Sequence, residues 1–382
     1  MARTHRTVTR KPSIALLHSE TRSYRVPLFE RLNKFYNITF YFMYGGGWSK
    51  QHPESKKWKY HDMRPLPMVG YAGDFSPGIV TQLFKPYDVI ITSGLASFAT
   101  HISFIIAKLT GKKLILWDET WEWPRTLAAR IAKPYAKFIV KHADACLAAG
   151  TKARDFYISF GADPQKIFIA NNSAVDMAKR SIDEKYVQQL RKKYGLEGKQ
   201  VITYIGRIIK FKGLDFLLKA FVEIEKKNPN AFLFIAGPDA GWEEHCKELA
   251  RKLGLKNYIF AGNAPHEHVQ EYYSLSDVFV LPSRFLYEDN IVNDSWGLMV
   301  NEALSLGIPV VGTTAVAAAY DMIENGVSGY QVPQQNIPAL AVAIEKSLAN
   351  KPTGARKAFE HWNNYNTMFT AFKKAITLVM RK

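Results

Sequence analysis

Short apolar runs recur along this chain, separated by segments of helical period, and that rhythm leaves few folds open. In the first half the runs occupy 13–17, 37–42, 88–92, 113–117, 145–148 and 167–170; in the second, 200–205, 231–236, 258–261, 278–281 and 309–312. Helix-length stretches lie between many of them, among them 23–35, 94–109, 212–227 and 242–253. Runs rich in Val, Ile and Leu without polar alternation are strands covered on both faces, and strands joined through helices pair in parallel. The series occurs twice, and 382 residues exceed what one core of ordinary size organises. The fold class expected is α/β, with two doubly wound Rossmann-like domains facing each other across a cleft.

The best boundary is 171–181, where the turn cluster Asn171-Asn172-Ser173 precedes Asp183-Glu184 at the start of a new helix. It divides the chain into a first domain at 13–178 and a second at 179–355. The stretch 353–382 reads as one or two helices with Phe359, Trp362, Tyr365, Phe369 and Phe372 at spacings of three and four, hence on one face. Residues 356–382 are expected to pack back on the first domain. Residues 1–12, carrying Arg3, Arg6, Arg10 and Lys11, read as a disordered basic arm. The early apolar runs are too short for a secretion signal or a membrane span. Cys146 and Cys246 imply no disulfide framework, so a reducing, cytoplasmic setting is expected.

The net charge is +17 and uneven: residues 1–178 carry 25 Lys and Arg against 13 Asp and Glu, residues 179–382 carry 26 against 21. Such a bias attracts polyanions, whether an anionic membrane face, phosphorylated substrates or nucleic acid. Charge alone does not choose among them.

In open parallel sheets ligands bind beyond the carboxyl ends of the strands, which selects the loops to search. After 201–205 comes Gly206-Arg207, and a few residues later Lys212-Gly213 opens a helix. Gly206 lets the backbone turn tightly, and two cations at a helix entrance suit a diphosphate. Two solvated loop cations would look the same. A second segment, from Asp294 to Glu302, adds weight. A helix beginning near Gly297 would aim the amides of Leu298 and Met299 outward as a further anion site. Glu302, one turn in, could accept hydrogen bonds from ribose hydroxyls, and Asp294 could reach sugar hydroxyls. The plainer readings are a carboxylate complementing a helix dipole for Asp294 and an exposed helical acid for Glu302.

Gly206-Arg207 followed after four residues by Lys212-Gly213, together with Asp294-Ser-Trp-Gly-Leu-Met-Val-Asn-Glu302 and the apolar Ala-Leu-Ser-Leu-Gly-Ile-Pro-Val-Val after it, resembles the family-4 glycosyltransferases of the retaining GT-B class. Gly161-Ala-Asp-Pro-Gln-Lys-Ile-Phe-Ile-Ala-Asn171 is similar to that family's approach between domains. The likeness is good over 140–350 and only an outline before it. It implies transfer of a sugar, with retention, from a nucleotide-diphosphate sugar to a glycan or lipid-linked acceptor in polysaccharide, lipopolysaccharide or glycolipid assembly. It also implies that Arg207 and Lys212 grip the diphosphate, that Glu302 holds the ribose and that the amides of Leu298 and Met299 complete the phosphate site. Asp294 would contact the transferred sugar, and Asn263 and Ala264 would line the base.

Two departures from the family pattern stand out. The family's first acid is usually Glu, and Asp294 is shorter. Many relatives have a His after the strand at 113–117, where this chain has Asp118-Glu119-Thr120-Trp121-Glu122-Trp123. Glu119 is the expected catalytic substitute, with Asp118 as a lesser acceptor-site candidate. Trp117, Trp121 and Trp123 suit either sugar stacking or packing. Arg22 and Arg25, in place of a Gly-rich turn, are candidates for an acceptor phosphate or the donor diphosphate.

Other features point away from other chemistries. No Asp-x-Asp pair occurs, and His266 and His268 find no third ligand at metal spacing, so a reaction without metal or cofactor is expected. Gly45-Gly46-Gly47 lacks the Lys-Ser/Thr of a phosphate cradle. No reading element for nucleic acid is found. In 125–141, Arg130, Lys133, Lys137 and Lys141 alternate with Leu127, Ile131, Tyr135, Phe138 and Ile139, as in a peripheral helix on an anionic membrane or an ordinary helix on a sheet. Two other classes stay open: an epimerase or phosphorylase on the same fold, and a non-catalytic basic binder of membrane or nucleic acid.

Overall fold

A computed structural model describes residues 10–19, 23–43, 57–66, 75–287 and 294–381. Most of the basic arm, Arg22 and Gly45-Gly46-Gly47 therefore lie outside the described residues. Of the arm's described end, Arg10 is held by the Asp88 carboxylate at 2.9 Å.

Among the described residues the chain forms two all-parallel sheets. The first contains β1 (Ser13–His18), β2 (Asn37–Phe42), β3 (Lys59–Asp62), β4 (Val89–Ser93), β5 (Lys113–Asp118), β6 (Ala145–Ala148) and β7 (Ile167–Ile169), in the order β3-β2-β1-β4-β5-β6-β7. The second contains β8 (Gln200–Ile205), β9 (Ala231–Ala236), β10 (Tyr258–Phe260), β11 (Val278–Leu281), β12 (Val310–Thr313) and β13 (Gly329–Val332), ordered β10-β9-β8-β11-β12-β13. In both, the order reverses beside the first strand, between β1 and β4 and between β8 and β11. A crevice opens at such a reversal because the flanking connections leave toward opposite faces. The central strands are buried along nearly their whole length, as uninterrupted apolar runs require. Edge strands β3 and β13 were not foreseen, since neither is a continuous apolar run.

The C-terminal stretch is two helices with different allegiances. The helix Ala355–Trp362 stays on the second domain, against the helices Leu298–Ser305 and Ala317–Met322. Only the helix Tyr365–Met380 crosses back, onto β5, β6, β7 and the helix Val26–Phe35. The expectation for 356–382 is thus corrected at its front. Phe372 and Met368 are buried in the first domain's core, and Phe372 meets Trp117 edge-on at 5.0 Å between ring centres. The turn between the two helices is pinned to the segment that joins the domains: the Ala174 amide donates to Asn363 Oδ1 at 2.6 Å, and Asn363 Nδ2 donates to the Ala174 carbonyl at 3.0 Å.

Candidate active site

The carboxyl ends of the two sheets face each other across a cleft of about 990 Å³. Its second-domain wall carries Gly206, Arg207, Lys212, Asn263, Ala264, Asp294, Leu298, Met299 and Glu302, so the predicted donor residues converge. Its first-domain wall includes His18, Arg25, Trp117, Asp118 and Glu119.

A short turn, Lys210–Lys212, follows β8 and ends at Gly213 in the left-handed region, φ +71°. A Cβ there would stand 2.1 Å from the Pro282 carbonyl oxygen, so only glycine lets the chain bend this closely under β11. The bend buries Lys212, whose ammonium donates to Asp294 Oδ2. Ser283 donates its hydroxyl to the same oxygen at 3.1 Å. Burial lowers the Lys212 pKa, while Asp294 and then Glu302 pull it back up. Arg207 differs in kind: it is exposed and has no ion pair with any described residue. The two cations thus stand differently: among the described residues the guanidinium has no ion pair, while the ammonium is already shared with a carboxylate.

Gly297 begins the opposite lip at φ +90°, where a Cβ would press to 2.7 Å from Val316. The helix Leu298–Ser305 starts immediately after it, and the amides of Leu298 and Met299 make no hydrogen bond with described residues. Glu302 accepts the Tyr273 hydroxyl at 2.7 Å. Burial raises its pKa, and the Tyr273 hydroxyl and Lys212 limit the rise. The reading of Glu302 as an exposed helical acid is corrected, and Asp294 is a partner of Lys212 rather than only a dipole complement.

The first-domain wall is organised inward. Arg25 is 2% exposed. It stacks 4.7 Å over the Trp117 ring, donates to Asn172 Oδ1 at 2.7 Å and to Glu119 Oε1 at 2.5 Å. Its charge is thus neutralised within the protein, which corrects its reading as an open phosphate cation. Asp118 accepts from the amides of Leu95, Glu119 and Thr120 and from the Thr120 hydroxyl, so it fastens loops and is corrected as an acceptor-site group. Glu119 keeps one oxygen toward the cleft. The tryptophans pack: Trp117 in the core, Trp121 against Phe285 and Tyr320 of the second domain, Trp123 against Phe156 and Phe160.

Sequence reasoning missed Tyr273, Ser283 and Asn172, the partners of Glu302, Asp294 and Arg25. It also missed the contacts that tie the domains beside the cleft. Thr151 donates its amide, at 2.9 Å, and its hydroxyl to the Asp321 carboxylate, and the Arg125 guanidinium lies 3.6 Å from the centre of the Tyr287 ring. No local signal marked these pairs. Among the described residues no group of three or more His, Cys, Asp or Glu could hold a metal ion.

Residues 187–367 match the model of the family Glycosyl transferases group 1. The chain is 26% identical over 276 residues to the alpha-D-kanosaminyltransferase of Streptomyces kanamyceticus, covering 70% of this chain and 68% of that one. It is 27% identical over 177 residues to the GDP-mannose-dependent alpha-(1-6)-phosphatidylinositol monomannoside mannosyltransferase of Mycolicibacterium smegmatis, 46% of each. The chain spans about half the length of this and of other curated relatives it matches. The crystal structure of HepE from Anabaena in complex with UDP resembles it in fold, with a TM-score of 0.76 at 15% identity over 96% of this chain and 99% of that one. Two facing parallel sheets of this order are the arrangement of the GT-B fold, and it is the second domain, over 187–367, that matches the glycosyl transferases group 1.

Proposed function

We propose that this glycosyltransferase moves a sugar from a nucleotide-diphosphate sugar to a glycan or lipid-linked acceptor, with retention of anomeric configuration and without a metal. The observation that carries the reading is the convergence of Arg207, Lys212 and the open amides of Leu298 and Met299 at one end of the cleft. A departing diphosphate gains negative charge as the glycosidic bond breaks, and donors already fixed in place stabilise that charge without reorganising. Glu302 holds the ribose, Asn263 and Ala264 border the base, and Asp294 meets the sugar through the carboxylate oxygen not engaged by Lys212. The acceptor enters from the first-domain wall, where Glu119 orients its hydroxyl.

Relatives differ in what their names state, one GDP-mannose-dependent and one solved with UDP, so the donor base is an experimental question. The test is a thermal-shift screen of UDP-, GDP- and ADP-sugars, followed by turnover with lipid-linked and soluble glycan acceptors. One donor should stabilise the protein and transfer its sugar with the anomeric configuration kept. No stabilisation by any donor, or loss of sugar to inorganic phosphate with every glycan refused, would overturn the reading.

A further inference from the structure

Two neighbouring helices of the first domain, Phe98–Thr110 and Leu127–His142, run side by side with Phe104 against Phe138 at 5.8 Å and His101 against Tyr135 at 5.3 Å between ring centres. Ala136, Ile139 and Val140 face the core. The outward side of the second helix is a ridge of Leu127, Ile131, Tyr135 and Phe138, and the first helix extends it with Ile105 and Leu109. Leu127 and Ile131 are 74% and 72% exposed and Leu109 74%, far beyond what an ordinary sheet-covering helix leaves in water. Along the ridge's other flank run Arg130, Lys133, Lys137 and Lys141, all exposed. Neither helix contains a single Asp or Glu.

We propose that this face is a docking surface for a lipid bilayer bearing anionic headgroups. The occupant follows from the charges. A second copy meeting the ridge would bring two flanks of cations together with no acid on either helix to offset them. Nucleic acid would be drawn to the cations but leaves an apolar ridge unburied. An anionic bilayer satisfies both, taking Leu127, Ile131 and Phe138 below the headgroups while the lysine stems reach the phosphates. No helix among the described residues is long and apolar enough to cross a membrane, so contact is from one side.

The placement gives the surface a use. Ser97 and Thr126 cap the two helices at their amino ends, Ser97 lines the cleft, and Arg125 beside Thr126 packs on Tyr287 of the opposite domain. A bilayer against the ridge therefore lies alongside the cleft mouth, where a lipid-linked acceptor would present its headgroup. That last clause rests on the proposed transferase reading; binding to lipid does not.

The test is co-sedimentation of the full chain with vesicles of phosphatidylcholine alone and of phosphatidylcholine with phosphatidylglycerol. Binding should require phosphatidylglycerol and weaken with salt. The pair Leu127→Glu and Ile131→Glu should lower it by at least roughly ten-fold. Lys133→Gln with Lys137→Gln should lower it by roughly five-fold for each charge removed. Lys192→Gln with Lys193→Gln, on the second domain, should leave it unchanged. All these side chains are exposed, so melting temperature and donor-induced stabilisation should hold in every variant, which separates this inference from the transferase reading. Equal binding to both vesicle types would overturn it. So would a dimer that Leu127→Glu and Ile131→Glu dissolve while vesicle binding stays absent, or equal losses from the control pair.

Discussion

The two walls of the cleft are built on the same topological reversal and use charge in opposite ways. On the second domain, Arg207 has no ion pair and two helix amides no hydrogen bond among the described residues, so the wall presents unfinished electrostatics to a ligand. On the first, the Arg25 guanidinium is already held by Glu119 and Asn172, and Asp118 is spent on its own loops, so the wall offers less free charge. The lesson is that a cation lining a cleft is a ligand group only if the protein has left it something to bind. Substitution of Arg207 should therefore cost turnover, and substitution of Arg25 stability.

Lys212 is where that contrast is under most strain, because it is both buried and paired. Lys212→Ala should lower turnover by about 10³-fold, and it should also cost about 3 kcal/mol of stability by stranding the Asp294 carboxylate. Adding Asp294→Asn should restore the denaturation midpoint and not the turnover; recovery of both would remove Lys212 from the diphosphate. Arg25→Met should cost about 3 kcal/mol in denaturant titration with donor affinity within about two-fold of wild type. A stable variant that no longer binds donor would erase the difference between the walls. Arg207→Ala should show the converse, turnover down by roughly 10²-fold with the melting temperature unchanged.

The fourth expectation concerns acid. Glu302's folded pKa lies above the ordinary carboxylate value because burial disfavours its charge. The folded state thus holds the proton more tightly than the unfolded, so this group's contribution to stability is present below the ordinary value and is lost as pH rises through the folded pKa. Donor affinity should run the other way and weaken, by up to about ten-fold, as protonation removes an acceptor for the ribose. Tyr273→Phe deletes a hydrogen bond that holds the pKa down, so the affinity midpoint should move to higher pH; Glu302→Gln should flatten it. Isothermal titration across pH reads both, and an unmoved midpoint in Tyr273→Phe would take Glu302 out of donor binding. The smallest effect is expected at Asp321→Asn, about 1 kcal/mol in thermal unfolding, since weakened hydrogen bonds to Thr151 leave the aromatic contact beside them intact.

What was legible in the sequence follows from the range of each interaction. The central strands could be read because burial on both faces writes itself into consecutive residues. Strand β3, with Lys59 and His61 turned to solvent, and β13, opening on Gly329, sit at sheet edges and write no such run. On the second domain, Gly206 through Gly213 and Asp294 through Glu302 are local motifs, and residues of both line one cleft. The Arg25–Glu119 and Arg25–Asn172 bonds join residues 94 and 147 apart, a distance no local pattern encodes. Seen one at a time, Arg25 looked like a site for anions and Trp117 like a sugar platform. Only their contact shows that each occupies the other.

The crossing of the helix Tyr365–Met380 onto β5, β6 and β7 sets an order of assembly. A chain made from its amino end completes the first sheet's strands early, yet the cover over Trp117 is translated after everything else in both domains. The second domain, continuous in sequence, can close while its predecessor waits half-clad on the ribosome. The half of the molecule begun first is the half finished last, and a nascent chain stalled short of residue 365 would carry a formed second domain on an unsealed partner.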